Sequence, residues 1–451
     1  MKKILSMMLA SLILLSLCAC GGSQNNPQQT QNPQNTTLEV GFGKENITPD
    51  YAVPLQGGNY AERWSEGVSD YCYATCIAMR SGEDTVLVFT IDIKLMSGVA
   101  YDAIKGAIMQ KTGVPVANIF MNATHTHSAP AIRYSWDGSS RYAAEFTNAL
   151  VAAADKAVKD LTPATMAAGY VETEGLSFVR HYVMNDGTYA GSNFGSFESG
   201  RKEHVREADG QMAVVHFKRE GNKKDVILIN FGAHPTFNGS QSDKIISADF
   251  PSPLRDYVSN QTGALVAYFT AAAGDQTGRS SIEGLGKVTG REEYVKYGQL
   301  LGQYAIDALP NLTPVEGNAI RLINRDMTYA TNKENLDKSP TEMNGPFEAD
   351  WIGRRSRLPA TKTMTIRTLA VGSLGFISAP YEMFGEQGKY IKDNSPFATT
   401  VVMTCGEGDN SYVSNIAGFE YNCYESQVCY YARGVAEQVA KDFVSMLEEL
   451  K

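Results

Sequence analysis

The sequence predicts a mixed α/β protein (α+β in its details): one large domain in which mixed β-sheets are flanked by helices. Short apolar runs alternate with longer amphipathic runs through one uninterrupted stretch, and no internal repeat or second linker divides it. Turn-forming residues separate neighbouring apolar runs, which is typical of hairpins. Such an alternation is the pattern of sheets with helices packed on them.

The individual elements follow from periodicity and turn signals. Apolar runs at 74–79 and 86–91 flank a Ser-Gly-Glu-Asp turn and predict a hairpin, and runs at 212–217 and 226–231 predict a second one. Further strands are predicted at 119–122, 265–270, 319–323, 363–369, 374–377 and 400–404. Helices are predicted at 101–111, 141–161, 254–259, 292–309, 381–392 and 435–449, and a polar surface loop at 332–346.

The N-terminus predicts export and a lipid anchor on Cys20. Lys2 and Lys3 precede an apolar run that ends at Leu17, too short for a membrane span and typical of an export signal. The run ends in Leu-Cys-Ala-Cys-Gly, which resembles the lipobox of bacterial lipoproteins, where cleavage before the cysteine leaves it to be acylated. We therefore expect a signal peptide at 1–19 and tethering to the outer face of the bacterial cell membrane. The alternative is an ordinary signal peptide cleaved after Ala19.

A disordered linker is predicted after the lipidated cysteine, at residues 20–38. Most of this segment consists of Gly, Ser, Asn, Gln, Pro and Thr, and no large apolar side chain occurs from Gly21 to Thr37. Such a segment cannot bury enough surface to offset its ordering entropy. The folded domain is expected to span 39–451.

Charge and cysteine usage exclude some functions and leave others open. The net charge is −9 and no basic run occurs, which argues against a nucleic-acid partner. Besides Cys18 and Cys20 the chain has five cysteines, an odd number in a long chain, which is not a disulfide scaffold. Two spacings, 72/76 and 423/429, allow local pairing, and neither predicts a zinc site.

The segment Asn122 to Pro130, with the sequence Asn-Ala-Thr-His-Thr-His-Ser-Ala-Pro, contains two of the six histidines directly after a predicted strand. Residues i and i+2 of an extended segment point the same way, so His125 and His127 can converge on one metal ion. Ligands just beyond a strand end also lie where α/β sheets keep their active sites. The alternative is a pair of polar loop residues, which is the commoner case for an isolated His-x-His.

Four further polar loops follow predicted strands. His234 follows the strand at 226–230, Glu382 follows 374–377, and the segments 273–277 and 406–412 follow two more. Each is weak alone, because strand-end histidines are often structural and a Glu after Pro is often the first turn of a helix. Together they are able to build one site.

These motifs resemble the catalytic region of the neutral/alkaline, non-lysosomal ceramidase family, and more closely its short bacterial relatives. The family has Thr-His-Thr-His-Ser-Gly-Pro where this chain has Thr124 to Pro130. The resemblance starts at Val-Gly-Phe-Gly (40–43) with Ile-Thr-Pro (47–49) and ends at Tyr424-Glu425. It covers nearly the whole predicted domain and implies a zinc-dependent hydrolase.

The resemblance also implies roles for individual residues. It makes His125, His234, Glu382 and Tyr412 the zinc ligands, Tyr412 being found at the family's fixed interval before the Tyr-Glu pair. In the family the counterpart of His127 contacts the reacting group, and an arginine of the family resembles Arg180. His127 and Arg180 would then stabilise the developing oxyanion, or His127 would pass a proton to the leaving amine. Zn²⁺ with open coordination lowers the pKa of water towards ~7 and supplies the attacking hydroxide.

Three departures from the family pattern bear on the substrate. The family's catalytic serine lies in Gly-Asp-x-Ser-Pro, and this chain has Gly-Asp-Gln-Thr-Gly at 274–278. Asp275 is therefore expected to order its loop and Thr277 to contact the substrate. Tyr381 replaces a glycine of the family's Pro-Gly-Glu and is expected to put a ring beside the metal. The chain ends soon after Glu425, so we expect no immunoglobulin-like C-terminal domain.

The leading hypothesis is a zinc-dependent amidohydrolase that cleaves the N-acyl amide bond of ceramide-like or other N-acyl substrates, as in sphingolipid metabolism. A second hypothesis keeps the zinc site and changes the bond to an ester or another carbonyl-derived group. A third hypothesis is a solute-binding lipoprotein without catalysis. It requires no metal, and it predicts no coordinated loss of function when His125, His234 and Glu382 are mutated.

Overall fold

The computed structural model describes residues 36–57, 63–132, 140–191, 200–238, 244–282, 285, 293–334, 356–408 and 410–451. The predicted signal peptide, Cys20 and nearly all of the predicted linker lie outside these residues. Leu38, the last residue assigned to the linker, already lies in the first strand. Residues Thr36–Lys451 form one compact unit. No helix of this described part combines the length and apolarity that crossing a bilayer requires.

The described residues form the following elements. The strands are β1 (Leu38–Asn46), β2 (Pro54–Gln56), β3 (Arg63–Trp64), β4 (Gly67–Val68), β5 (Tyr73–Ser81), β6 (Asp84–Ile91), β7 (Ile119–Ala123), β8 (Ala129–Pro130), β9 (Thr162–Glu172), β10 (Phe178–Val179), β11 (His181–Met184), β12 (Tyr189–Gly191), β13 (Arg201–His204), β14 (Gln211–Arg219), β15 (Val226–Phe231), β16 (Ile245–Ile246), β17 (Leu265–Thr270), β18 (Gln276–Thr277), β19 (Thr313–Pro314), β20 (Ile320–Ala330), β21 (Thr361–Val371), β22 (Leu374–Ser378), β23 (Glu382–Met383), β24 (Thr399–Met403) and β25 (Tyr412–Val413). The helices are α1 (Gly98–Thr112), α2 (Arg141–Lys159), α3 (Pro251–Thr262), α4 (Tyr294–Ala308), α5 (Gly385–Asn394), α6 (Ile416–Glu420), α7 (Tyr424–Val428) and α8 (Val435–Glu449), with short 3₁₀ turns at Val116–Asn118 and Leu309–Asn311.

The largest sheet has the strand order β17-β15-β14-β9-β1-β5-β6-β7, and β19 pairs with β9 beside this path. Most neighbours are antiparallel, but the pairs at its two ends, β15 with β17 and β6 with β7, are parallel. A second sheet has the order β20-β21-β22-β24, and its β22–β24 pair is also parallel. Each parallel pair ends in a loop that carries one or more of the predicted site residues.

The core fills the space between the two sheets and beneath the helices. One apolar cluster joins side chains of the large sheet, such as Phe217 and Phe269, to side chains of the second sheet, such as Phe376 and Val401. A second cluster packs α1 and α2 against β5, β6 and β7. A third packs α3 and α4 against β14, β15 and β17. Central strands such as β6, β7, β15, β22 and β24 are therefore buried on both faces, which explains their continuous apolar runs.

Buried polar side chains join the carboxyl ends of the three parallel pairs. The Asn230 side chain donates to Val402 O at 2.9 Å and accepts from Val402 N at 3.0 Å. Thr270 N donates to the Asn122 side chain at 3.2 Å, and the Thr270 hydroxyl donates to Thr124 O at 2.7 Å. Thr404 N donates to Thr270 O at 3.1 Å. Buried polar groups are paired because leaving them unpaired is costly, so these bonds fix the strand ends relative to one another.

The structure confirms both predicted hairpins, the predicted helices at 101–111, 141–161, 254–259, 292–309 and 435–449, and the remaining strands, with shifted ends. The helix predicted at 381–392 is wrong at its start: Glu382 and Met383 form β23, and α5 begins only at Gly385. Pairing with β25 overrides the helical signal there.

The structure also decides one possibility that the sequence left open and corrects one expectation. The five cysteines that follow Cys20 are all free and buried, so neither local pair forms. Asn332, the first residue of the predicted surface loop, is buried, and its side chain donates to Cys429 O at 3.1 Å. Most of that loop lies outside the described residues.

Candidate metal centre

His125 and His127 follow β7 in a loop held by its backbone. His125 N donates to Ile93 O at 3.0 Å, and His127 N donates to Pro235 O at 3.2 Å. His125 has φ 66°, a left-handed conformation that is uncommon outside glycine and costs about 1–3 kcal/mol. Such strain persists where the surroundings determine the geometry, as they do around both imidazoles here.

His234 reaches the same place from the opposite edge of the large sheet. It follows β15, and its N–H donates to Gln276 O at 3.0 Å. Glu382 follows β22 of the second sheet and lies in a separate two-stranded sheet, in which β23 pairs in parallel with β25 and sets Glu382 opposite Tyr412. The loop at Gly274 touches this strand pair, because Gly274 N donates to Met383 O at 2.7 Å. A Cβ at Gly274 would lie 2.8 Å from Glu382 O, so only glycine allows this approach.

Two histidines and a carboxylate converge within coordination reach of one point. Glu382 Oε2 lies 3.0 Å from His125 Nε2 and 3.5 Å from His234 Nε2. His127 Nε2 lies 3.4 Å from His125 Nε2, and ring nitrogens of the three imidazoles lie within 4.8 Å of one another. All four side chains are buried, with exposures of 1% to 4%.

The hydrogen bonds of the imidazoles determine which nitrogen is free. His125 Nδ1 lies 3.0 Å from Lys94 O and His234 Nδ1 lies 2.6 Å from Ala273 O, so both Nδ1 atoms carry the proton and donate to a carbonyl. Both Nε2 atoms then present lone pairs to the Glu382 carboxylate. The short Nε2–Oε2 separations are therefore not hydrogen bonds, and His234 Nε2 and Glu382 Oε2 have no hydrogen-bond partner among the described residues.

This donor set fits a bound zinc ion. Two neutral imidazoles and one carboxylate are typical ligands of a catalytic zinc, which keeps a further position open. Three buried lone-pair donors at contact distance repel one another unless a cation lies between them. Burial, reinforced by the positive charge of Arg180, lowers the pKa of His234 well below its usual value, so its imidazole is neutral, as ligation requires.

His127 is the third imidazole of the group. Burial, followed by the positive charge of Lys94, lowers the pKa of His127 well below its usual value. Its Nδ1 has no hydrogen-bond partner among the described residues. His127 is therefore a neutral base with a free nitrogen, close enough to the other two to bind the same ion or to exchange a proton beside it.

Tyr412 and Arg180 lie next to the three imidazoles. Arg180 Nη2 donates to Tyr412 Oη at 3.3 Å and to Gly274 O at 2.7 Å. Burial and the Glu382 carboxylate raise the pKa of Tyr412 well above its usual value, while Arg180 opposes them. The phenol is therefore neutral as described. The contact between the Tyr412 phenol and Arg180 is compatible with two roles for Tyr412, a metal ligand or a hydrogen-bond donor to a group bound at the metal.

Asp275 and Thr277 lie in the loop beyond β17. The Asp275 carboxylate accepts from Gly385 N at 2.8 Å and pairs with Arg206, and Asp275 O accepts from Arg180 N at 2.9 Å. These are the contacts of a loop-ordering carboxylate. The backbone of Thr277 lies beside His234 and pairs with Phe178. Its hydroxyl makes no hydrogen bond within the described part of the chain.

The Tyr381 ring is placed differently from the prediction. It packs in the apolar core that includes Ile391 and Phe443, and its hydroxyl lies 3.5 Å from the Gln387 side chain. Neighbouring residues of an extended segment point to opposite sides, so a Glu382 side chain directed to the histidines turns Tyr381 away from them.

Sequence reasoning missed two residues behind Arg180. Glu425 Oε1 accepts from Arg180 Nε at 2.9 Å, and Glu425 Oε2 accepts from His181 Nε2 at 2.8 Å. His181, Cys423 and Glu425 also have donor atoms within 4.8 Å of one another. A usable signal was present in the scarcity of histidine: four of the six, at 125, 127, 181 and 234, are the buried ones.

Comparison with known proteins gives the fold an independent reference. No protein-family model matches the sequence, and no curated protein matches it. The solved structure of a neutral ceramidase from Pseudomonas aeruginosa superposes with a TM-score of 0.71 at 17% identity, covering 92% of this chain and 75% of that one. A ceramidase complexed with C2 gives a TM-score of 0.70 at 16% identity, with the same coverage. At such identities the likeness shows the fold, and it confirms the resemblance to neutral ceramidases and the mixed α/β class predicted from the sequence.

Proposed function

We propose that this protein is a zinc-dependent amidohydrolase that cleaves the N-acyl amide bond of ceramide-like or other N-acyl substrates. The observation that carries the proposal is the convergence of His125 Nε2, His234 Nε2 and Glu382 Oε2, three buried lone-pair donors with separations of 3.0 and 3.5 Å. A solvated or structural cluster has no reason to bury these donors without a proton between them. The ceramidase fold supplies the reaction class.

The side chains around the centre support the chemistry of amide cleavage. His125, His234 and Glu382, with Tyr412 as a fourth ligand, would hold a zinc ion, which when bound would lower the pKa of a water molecule and polarise the scissile carbonyl. His127, neutral and with a free nitrogen, takes up a proton and returns it to the leaving amine. Arg180 donates to the oxygen on which negative charge develops.

The proposal is tested by metal analysis together with a panel of short fluorescent N-acyl amines. Purified protein is expected to contain about one zinc per chain, as a site of this type implies, and to release the amine. His216→Ala is the matched control for alanine variants of the histidines in the centre. His216 pairs with Asp225 at 2.8 Å on β14, outside the centre. Wild-type protein that binds zinc and cleaves no member of the panel would contradict the amidase assignment.

An ester is the second candidate substrate. Thr277 stands where the related loop of ceramidases carries its serine, and its hydroxyl is not held by the described residues. Esters have better leaving groups and need less help from a proton donor. Matched N-acyl and O-acyl compounds with the same acyl chain decide between the two, and a higher kcat/KM for the O-acyl member would favour the esterase.

We further propose that the protein is exported and held by a lipid on Cys20 at the outer face of the bacterial cell membrane, where the substrate is a small molecule or a lipid. The support is the charged start, the apolar run and the Leu-Cys-Ala-Cys-Gly sequence. Labelling with a radioactive fatty acid should mark the wild type and Cys18→Ser but not Cys20→Ser. Equal labelling of both variants would contradict the assignment.

A further inference from the structure

Arg180, His181 and Glu425 form a buried charged cluster behind the candidate metal centre. Each side chain is no more than 2% exposed. Glu425 Oε1 accepts from Arg180 Nε at 2.9 Å and lies 2.7 Å from Arg180 Nη2, and Glu425 Oε2 accepts from His181 Nε2 at 2.8 Å. Both carboxylate oxygens are thus occupied, which fixes the plane of the carboxylate and of the guanidinium that faces it.

The contacts of Arg180 leave one of its terminal nitrogens available. Nε and Nη2 are used by Glu425, Gly274 O and Tyr412 Oη. Nη1 makes no hydrogen bond to the residues that the structure describes. Its two N–H groups are therefore the donors that Arg180 has left for a substrate oxygen.

We propose that Glu425 and His181 are positioning residues for Arg180, which hold its guanidinium beside the metal centre and keep a net positive charge there for the developing oxyanion. The inference rests on the proposed function of the centre. Neither residue needs to touch the substrate, because both act through Arg180.

The charge of the cluster explains why a histidine shares the carboxylate. A guanidinium paired with a carboxylate alone is neutral and attracts an oxyanion weakly. A protonated imidazole on the second oxygen restores one positive charge to the group. Burial alone lowers the pKa of His181, but Glu425 and Cys423 outweigh it and raise that pKa to about 10, which agrees with a protonated imidazole.

Cys423 completes a set of residues that is also able to bind a metal. A second ion there would have to take a Glu425 oxygen from His181 or Arg180 and lie beside a guanidinium. The hydrogen bonds of Glu425 are already complete, in contrast to those of Glu382. The positioning role therefore fits the contacts better than a second metal site.

The test compares His181→Gln, Glu425→Gln and the control His216→Gln. Glutamine keeps a neutral N–H donor near the position of the histidine Nε2 and removes only the charge. For His181→Gln we expect about a tenfold lower kcat with KM within about twofold, because a charge that acts on the transition state alone changes kcat. Glu425→Gln should lower kcat by about a hundredfold, as the loss of an oriented oxyanion donor does. His216→Gln should equal the wild type, and zinc content should stay at about one per chain in all three.

A readout that needs no substrate separates this inference from the proposed function. In protein with ¹⁵N-labelled arginine, the Arg180 Nε–H should be protected from exchange in the wild type and His216→Gln, and should exchange faster in Glu425→Ala, which removes both acceptor oxygens. If no acyl compound is cleaved but this pattern holds, the proposed function fails and the positioning of Arg180 stands. Wild-type kcat in His181→Gln, or two zinc ions per wild-type chain with one lost in His181→Gln, would overturn the positioning role.

Discussion

The molecule contains two buried histidine–glutamate contacts that look alike and differ in what lies between them. In the metal centre, His125 Nε2 lies 3.0 Å from Glu382 Oε2, and in the cluster behind it, His181 Nε2 lies 2.8 Å from Glu425 Oε2. Residue types, burial and distances are nearly the same. The first contact joins two lone pairs, whereas the second is a hydrogen bond with its own proton.

The difference is set by the second ring nitrogen of each histidine. Nδ1 of His125 donates to Lys94 O, which leaves Nε2 without a proton. Nδ1 of His181 faces no carbonyl, and it has no hydrogen-bond partner among the described residues, so Nε2 is free to carry a proton to Glu425. A backbone carbonyl that accepts from Nδ1 therefore leaves Nε2 with a lone pair, as a metal ligand requires, whereas without it Nε2 is able to donate to a carboxylate.

The largest expected effect follows from removing one histidine of each kind. His125→Ala should abolish both zinc binding and hydrolysis, with at least about a thousandfold loss of kcat/KM, because the ion loses a ligand and the reaction its activated water. His181→Ala should keep the zinc. Metal analysis of both variants after dialysis gives the comparison.

His234→Ala is the matched repeat of this experiment, since its Nδ1 donates to Ala273 O in the same way. It should behave as His125→Ala does. If either centre variant keeps full zinc and activity, or if His181→Ala loses the metal, the distinction drawn between the two contacts is wrong.

A smaller effect is expected for Arg180, the residue that links the two regions. Arg180→Ala should lower kcat by about a hundred- to a thousandfold, as the loss of one oxyanion donor does, and should leave zinc bound. Arg180→Lys keeps the charge but lacks the planar fork that matches Glu425, so only part of the rate should return. Steady-state kinetics of the two variants measure the split between charge and geometry.

A smaller effect, on stability, is expected from changing Asp275, which supports the loop between the two regions. In Asp275→Asn one side-chain oxygen still accepts from Gly385 N, but the ion pair with Arg206 is lost. Removing one partner of a buried ion pair leaves the other charge unpaired, which costs about 3–5 kcal/mol of unfolding free energy. Because Arg206 is partly exposed, this value is the upper bound for Asp275→Asn. Urea unfolding checks this, and Asp225→Asn, which breaks a partly exposed pair, is the control. A midpoint unchanged from the wild type would show that the pair does not order the loop.

The fold and the metal centre differ in how much the sequence revealed. Hairpins and long helices were predictable because their signals are local: turn residues between apolar runs, and periodic apolar faces. His125 and His127 are also local, two positions apart after a strand. Their meeting with His234 and Glu382 depends on three parallel strand pairs from two sheets, and only the family resemblance pointed to it.

The contact of Glu425 with Arg180 and the strand conformation of Glu382 escaped prediction for the same physical reason. Glu425 lies on the short helix α7, and the sequence offers no periodicity that directs it to Arg180, 245 positions away. Glu382 was expected in a helix because Pro and Glu favour a first turn, yet two residues of strand pairing with Tyr412 outweigh that preference. Contacts that tertiary pairing alone creates leave no local pattern to read.

The smallest difference between the two regions lies in how the unfolding free energy depends on pH. This pH dependence is the most direct test of whether His181 is protonated in the folded chain. The titratable and charged groups that face this imidazole are Glu425, Cys423, the Tyr421 ring with its centroid at 5.5 Å and, through Glu425, Arg180. Its pKa of about 10 in the folded chain exceeds the value of about 6.5 in an unfolded one, so the folded state binds the proton more tightly. The stability it contributes is complete below about pH 6.5 and is lost as pH rises towards 10. The unfolding free energy of the wild type, relative to His181→Gln, should therefore fall steadily over this range. A difference between the two that stays constant from pH 6.5 to 10 would mean that His181 is neutral when folded, and the net charge inferred for the cluster would be wrong.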